Sequence, residues 1–196
     1  MNKIRTCIIW ITISLAFCCP TTVVNAADEG ITGKERERFT EIAAANWQEV
    51  FFDSGAWDWK NQWSMDGLKS KVTNNENGMN LIAGPVPKED ASHTVLWTKQ
   101  SFTGDLKIEY EYTRTDEANQ FVTILYIQAT GSDEEGFAKD LSEWSGERKI
   151  PAMATYFNNI NTYHISYAAY GGAPVEDDYD YIRARRYMPT LNPNVS

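Results

Sequence analysis

The residues best suited to chemistry fall between Tyr163 and Tyr187. Tyr163-His164-Ile165-Ser166-Tyr167-Ala168-Ala169-Tyr170 is followed, after a Gly, Pro and acidic turn, by Tyr179-Asp180-Tyr181-Ile182-Arg183-Ala184-Arg185-Arg186-Tyr187. His164 and His93 are the two histidines of the chain, and they alone titrate near neutrality without a large shift. Both halves of the stretch alternate with period two, as half-buried strands do. Tyr181, Arg183, Arg185 and Tyr187 would then share one face. A buried, unpaired guanidinium is very costly, so such a face is either solvated or receives something flat and anionic. A His or Tyr base beside an Arg that neutralises a carboxylate is the equipment for removing the C5 proton of a uronate. The base takes the proton and the Arg stabilises the enediolate charge. On this reading His164 and Tyr167 are acid/base groups and Arg183 and Arg185 bind the carboxylate, while a structural strand histidine is the plainer alternative.

A second constellation is Glu109 with Glu111. Two apart on a strand, they share a face roughly 7 Å from one another, which suggests glycoside hydrolysis by paired carboxylates or merely a solvated face. Ser132-Asp133-Glu134-Glu135 and Glu176-Asp177-Asp178 could ligate calcium through oxygens, or be solvated loop tips. No other cofactor is implied. There is no Gly-rich phosphate loop, Ser-His-Asp signature or zinc-spaced His pair.

These residues must be positioned by a mostly β chain. Thr32 with Glu35 fits a capping box, so a short helix should run to about Ala45 with Phe39, Ile42 and Ala43 on its apolar side. Residues 47–196 read as one domain. Val50-Phe51-Phe52 is an expected strand, and Trp57, Trp59 and Trp63 sit in a polar loop as aromatic anchors. Val72–Ala83 around Asn74-Asn75-Glu76-Asn77-Gly78 reads as a hairpin closed by Gly84-Pro85. His93–Phe102, Leu106–Thr115 and Phe121–Thr130 are strand candidates in close order. Phe121–Ile127 is apolar on both faces, which suggests a central, doubly covered strand. Gly131–Pro151 is a long acidic excursion in which Trp144 and Arg148 argue for order. Short strands with turns at regular spacing and almost no helix indicate an all-β antiparallel sandwich.

Residues 1–26 read as a secretory signal peptide. Lys3 and Arg5 precede an apolar run from Cys7 to Cys19, and Val24-Asn25-Ala26-Ala27 offers small residues for cleavage. Residues 27–46 hold the helix and a linker. All three cysteines lie in the leader, which leaves a mature chain without disulfides, a thiol nucleophile or Cys-ligated metal. The expected location is periplasmic or secreted, with no membrane attachment after cleavage. The formal charge of −9 becomes −11 without Lys3 and Arg5, and such a chain is repelled by nucleic acid.

Several stretches resemble one family. They are His93-Thr94-Val95-Leu96-Trp97-Thr98-Lys99-Gln100, Phe102-Thr103-Gly104-Asp105, Leu125-Tyr126-Ile127-Gln128-Ala129-Thr130-Gly131, Tyr163-His164-Ile165-Ser166-Tyr167 and Tyr181-Ile182-Arg183-Ala184-Arg185-Arg186-Tyr187. Together they are similar to the domain-of-unknown-function family numbered 1961, also called YesU-like. The resemblance implies a concanavalin-like, galectin-type jelly roll associated with degradation of pectin-like and other uronate-containing glycans. No reaction follows from that fold. His93, Trp97, Gln128, Trp144, Arg148, Tyr181 and Tyr187 are the candidate substrate contacts. The reaction is expected to be elimination on an acidic oligosaccharide. A lectin-like binding module and a Glu109/Glu111 hydrolase are the alternatives.

Family chains continue past the stretch matching Arg183–Tyr187, whereas this sequence stops nine residues after Tyr187, at Ser196. The expectation is an unpaired edge on strand 164–170 or 179–187, with apolar exposure around Ile165, Tyr167 and Ile182. A marginally stable or self-associating protein would follow.

Overall fold

The computed structural model describes residues 32–116, 121–170 and 180–189. The expected signal peptide, residues 1–26, therefore lies outside the described residues. Helix α1 (Gly33–Ala43) starts at the expected capping box: the Thr32 side chain accepts from the Glu35 N–H, and the Glu35 carboxylate accepts from the Thr32 N–H. Its expected apolar side is not buried. Phe39 is 72% exposed and Ile42 48% exposed, and α1 holds no buried residue. Capping satisfies the helix end locally, so the helix can form without a surface to pack on.

Antiparallel strands make up most of the rest, in three small sheets. Strand β1 (Trp63–Asp66) pairs with β4 (Val95–Thr98), and β2 (Lys71–Asn75) forms the expected hairpin with β3 (Gly78–Ile82). The third sheet has the order β5-β6-β7, from Thr123–Gly131, Ile160–Tyr170 and Asp180–Tyr187. The central strand is thus β6, not the expected β5. Apolar cover on both faces says nothing about lateral neighbours. Nor is the stretch doubly covered: Phe121 and Val122 are exposed, Thr123–Ile127 are half-buried, and the hydrogen-bonded partner of β5 lies on one edge among the described residues.

Two other strand expectations fail for a related reason. Residues 50–52 and 106–115 form no ladder. Phe51 is nevertheless buried, and the Tyr112 hydroxyl lies 2.7 Å from Thr123 Oγ1 with its ring packed on Tyr167. Side chains rather than backbone pairing hold both segments. More helix appears than expected. Leu141–Arg148 forms a 3-10 segment kinked at Trp144, and α2 (Met153–Asn159) follows. Seven residues are too few for helical periodicity to stand out in sequence.

Two cores result. Phe51, Trp63 and Met79 form one, with Phe51 edge-on to Trp63 and to Phe102 at 5.7 Å each. Trp144, Tyr156 and Ile160 form the other, against Trp97 and Tyr126. No described helix is long and apolar enough to cross a membrane.

Candidate functional site

Strand β6 separates the expected catalytic residues. Its partners are Ser166↔Arg183 and His164↔Arg185 on β7, and Tyr126↔His164 on β5. His164, Arg183 and Arg185 therefore share one face. Tyr167 pairs with Thr123 and belongs to the opposite face, where it packs on Tyr110 and Tyr112. His164 and Tyr167 are not brought together as an acid/base pair. His164 is 2% exposed, with Ser166 Oγ 3.5 Å from its Nδ1 and its ring against Tyr126 and Tyr187. Burial lowers its pKa, and the Arg185 charge lowers it further. Burial also raises the Tyr167 hydroxyl well above the ordinary tyrosine value, with Tyr110 adding to the shift.

Trp97, Trp144 and Arg148 do come together, around a residue outside the expected site. Asp66 ends β1 and is 2% exposed. Its Oδ2 accepts from Arg148 Nε (2.8 Å), Trp97 Nε1 (2.6 Å) and the Tyr156 hydroxyl (2.8 Å). Arg148, also 2% exposed, donates through Nη1 to the Leu141 carbonyl at 2.9 Å and sits 4.3 Å above the Trp144 ring. Trp97, Tyr126 and Tyr156 stack with interplanar angles of 9–21°. The Tyr156 pKa is driven strongly upward by burial and then by the Asp66 charge, so its hydroxyl remains a donor. The two charged groups are paired with each other and each is almost fully buried. This knot ties β1 and β4 to the long excursion. No local pattern marks Asp66: it stands three residues from Trp63, on the other face of β1, and its partners lie far along the chain.

His93 is also a tie: its Nδ1 lies 3.0 Å from the Pro151 carbonyl, which can only accept. Glu109 is paired with Lys107 at 2.8 Å, and Glu111 is exposed. Asp133 pairs with Lys139 at 3.0 Å, while Glu176–Asp178 lie outside the described residues. Among the described residues no cluster of three or more His, Cys, Asp or Glu is arranged to hold a metal. The Tyr181 side chain also lies outside what is described.

The remaining candidates, Gln128 and Tyr187, meet at a depression where β6 begins and β7 ends. Its volume is about 320 Å3, and its lining includes Gln128, Asn161, Tyr163, Arg186, Tyr187 and Met188. The depression exists because β5 carries an extra residue. Ile127 faces Tyr163 and Thr130 faces Asn161, so three steps on β5 match two on β6. Gln128 takes up the excess in the left-handed region at φ 55°. The Thr162 hydroxyl donates to the Ile127 carbonyl (3.0 Å) and the Asn161 amide to the Gly131 carbonyl (3.4 Å), fixing the bulge on both sides. Across the depression the Arg186 guanidinium lies 5.3 Å from the Tyr163 ring, which is 43% exposed. The Tyr187 hydroxyl is buried without a hydrogen-bond partner among the described residues. Burial raises its pKa against a smaller opposing effect from Arg185, whose guanidinium lies nearby but off hydrogen-bond geometry.

Comparison of the chain with family models, curated proteins and solved structures found no match.

Proposed function

We propose that the chain is an exported, lectin-like module that binds acidic, uronate-bearing oligo- or polysaccharide at the depression between β5, β6 and β7. The observation that carries the reading is the Arg186 guanidinium over the exposed Tyr163 ring, beside the Gln128 amide. An aromatic face suits the apolar side of a sugar ring. A guanidinium suits a carboxylate, and an amide suits hydroxyls. The reading takes the three small sheets as parts of a concanavalin-like, galectin-type sandwich, in keeping with the YesU-like resemblance. Binding is preferred to elimination because His164 is 2% exposed and Tyr167 lies on the other face of β6. Titration calorimetry at fixed salt tests it: a galacturonate oligosaccharide should bind and its neutral galactose counterpart bind at least tenfold more weakly. The same incubation, followed by absorbance of a new conjugated double bond, separates binding from elimination. Equal affinity for the two sugars would overturn the reading.

A further inference from the structure

We infer that the depression takes one anionic sugar ring, at a chain end, and that Gln128 sets its specificity. The inference rests on the reading of the depression as an acidic-carbohydrate site. At about 320 Å3 the depression lies at the lower end of small-molecule sites, which run from roughly 300 to 1,000 Å3. That is room for one or two rings and not for a long row of subsites, so the count of one anionic ring rests on the charge of the lining. Arg186 is the one charged residue among the described residues of its lining, so it neutralises one carboxylate.

Gln128 is the less obvious member. A left-handed conformation is unfavourable for any residue with a Cβ, and Gly or Asn is the usual choice there. Here a glutamine holds φ 55° in an otherwise regular strand, and the bulge turns it to line the depression. The fold does not require that side chain, because its amide makes no hydrogen bond to any described residue. The bulge itself is held by Thr162 and Asn161. Strained residues of this kind collect at binding sites, where the surroundings fix them in place for a ligand. An amide offers one acceptor and two donors, enough to engage two neighbouring hydroxyls of one ring while Arg186 holds the carboxylate. Epimers that turn one of those hydroxyls away would lose that contact.

The test uses the full mature chain and the Gln128→Gly variant, with galacturonate, its digalacturonate and tetragalacturonate forms, and glucuronate as probes. Glycine suits the backbone conformation, so the variant should melt at or above the parent temperature, and a binding loss could not be blamed on unfolding. The expected result is equal affinity for the three galacturonate lengths. Gln128→Gly should weaken galacturonate binding about tenfold and bring galacturonate and glucuronate to equal affinity. Affinity that climbs with each added ring, or a Gln128→Gly variant that still tells the two epimers apart as the parent does, would overturn the inference while leaving acidic-sugar binding intact. No binding of any uronate by the parent would instead remove the underlying reading.

Discussion

Arg148 and Arg186 carry the same guanidinium into opposite circumstances. Arg148 is 2% exposed, ion-paired to Asp66 at 2.8 Å, bonded to a carbonyl and capped by an indole. Arg186 is exposed, rests on a tyrosine ring, and has no carboxylate partner among the described residues. Both are arginines beside aromatic rings, which in sequence is the signature of a sugar or anion site. The difference lies in what remains unsatisfied. A buried guanidinium that is ion-paired through Nε and bonded through Nη1 has little capacity left for a ligand. One resting on an aromatic face beside an unpartnered amide still has that capacity.

The largest effect should come from breaking the closed arrangement. Asp66→Asn leaves the Arg148 charge buried without its counter-ion, and a loss of about 3–5 kcal/mol is expected in urea unfolding. Pairing Asp66→Leu with Arg148→Met should recover only part of it: both charges then leave together, but the Trp97 Nε1 and Tyr156 hydroxyl donors lose their acceptor. If Asp66→Asn unfolds at the parent midpoint, the knot contributes nothing and the contrast with Arg186 collapses. Next in size is Arg186→Ala. Acidic-sugar affinity should fall by about 2 kcal/mol in calorimetry, while stability stays within about 0.5 kcal/mol. A variant that loses stability and keeps its affinity would make Arg186 the structural arginine of the two.

Tyr126→Phe sharpens the picture of the sealed region. The Tyr126 hydroxyl is buried without a partner among the described residues, although the ring is stacked on both sides. Removing only that hydroxyl should raise stability by about 1 kcal/mol with an unchanged denaturant slope. A loss would mean that the hydroxyl has an acceptor. The smallest effect concerns His164, whose ring touches Tyr126 on one side and Tyr187 on the other. Burial depresses its pKa in the folded chain below the ordinary 6.5. The unfolded chain therefore binds a proton first as pH falls through that value. Stability should be full above it and decline below it, down to the folded pKa. The His164→Gln variant should flatten that part of the pH profile. An unchanged profile would show that the histidine is not the group responsible.

Much of the local structure is legible in sequence. Thr32 and Glu35 specify a helix start, and Asn75-Glu76-Asn77-Gly78 specifies a hairpin turn, because each acts over a few residues. Trp144 and Arg148 correctly announce order in the long excursion. Which strand lies between which others is a long-range matter, and the apolar pattern of Phe121–Ile127 does not encode it. Exposure at the sheet edge is partly as expected: Ile182 is 79% exposed, whereas Ile165 and Tyr167 are half-buried. At the site, Gln128 and Tyr187 were within reach of sequence reasoning as residues. The bulge that joins them was not, because a positive φ in a glutamine leaves no mark in composition. Asp66 escaped for a different reason, since its meaning depends on partners far along the chain.

Those partners lie 31, 82 and 90 positions from Asp66. Contacts that close such large loops cost chain entropy before they return any energy, and they tend to form late in folding. The β2–β3 hairpin and α1 need no such closure. Asp66 thus acts as a latch that engages after the strands have assembled. Weakening a late latch mainly changes how quickly the folded chain opens and has little effect on how quickly it forms. The lifetime of the folded protein, and with it resistance to proteolysis, then depends on the contacts gathered at one carboxylate oxygen.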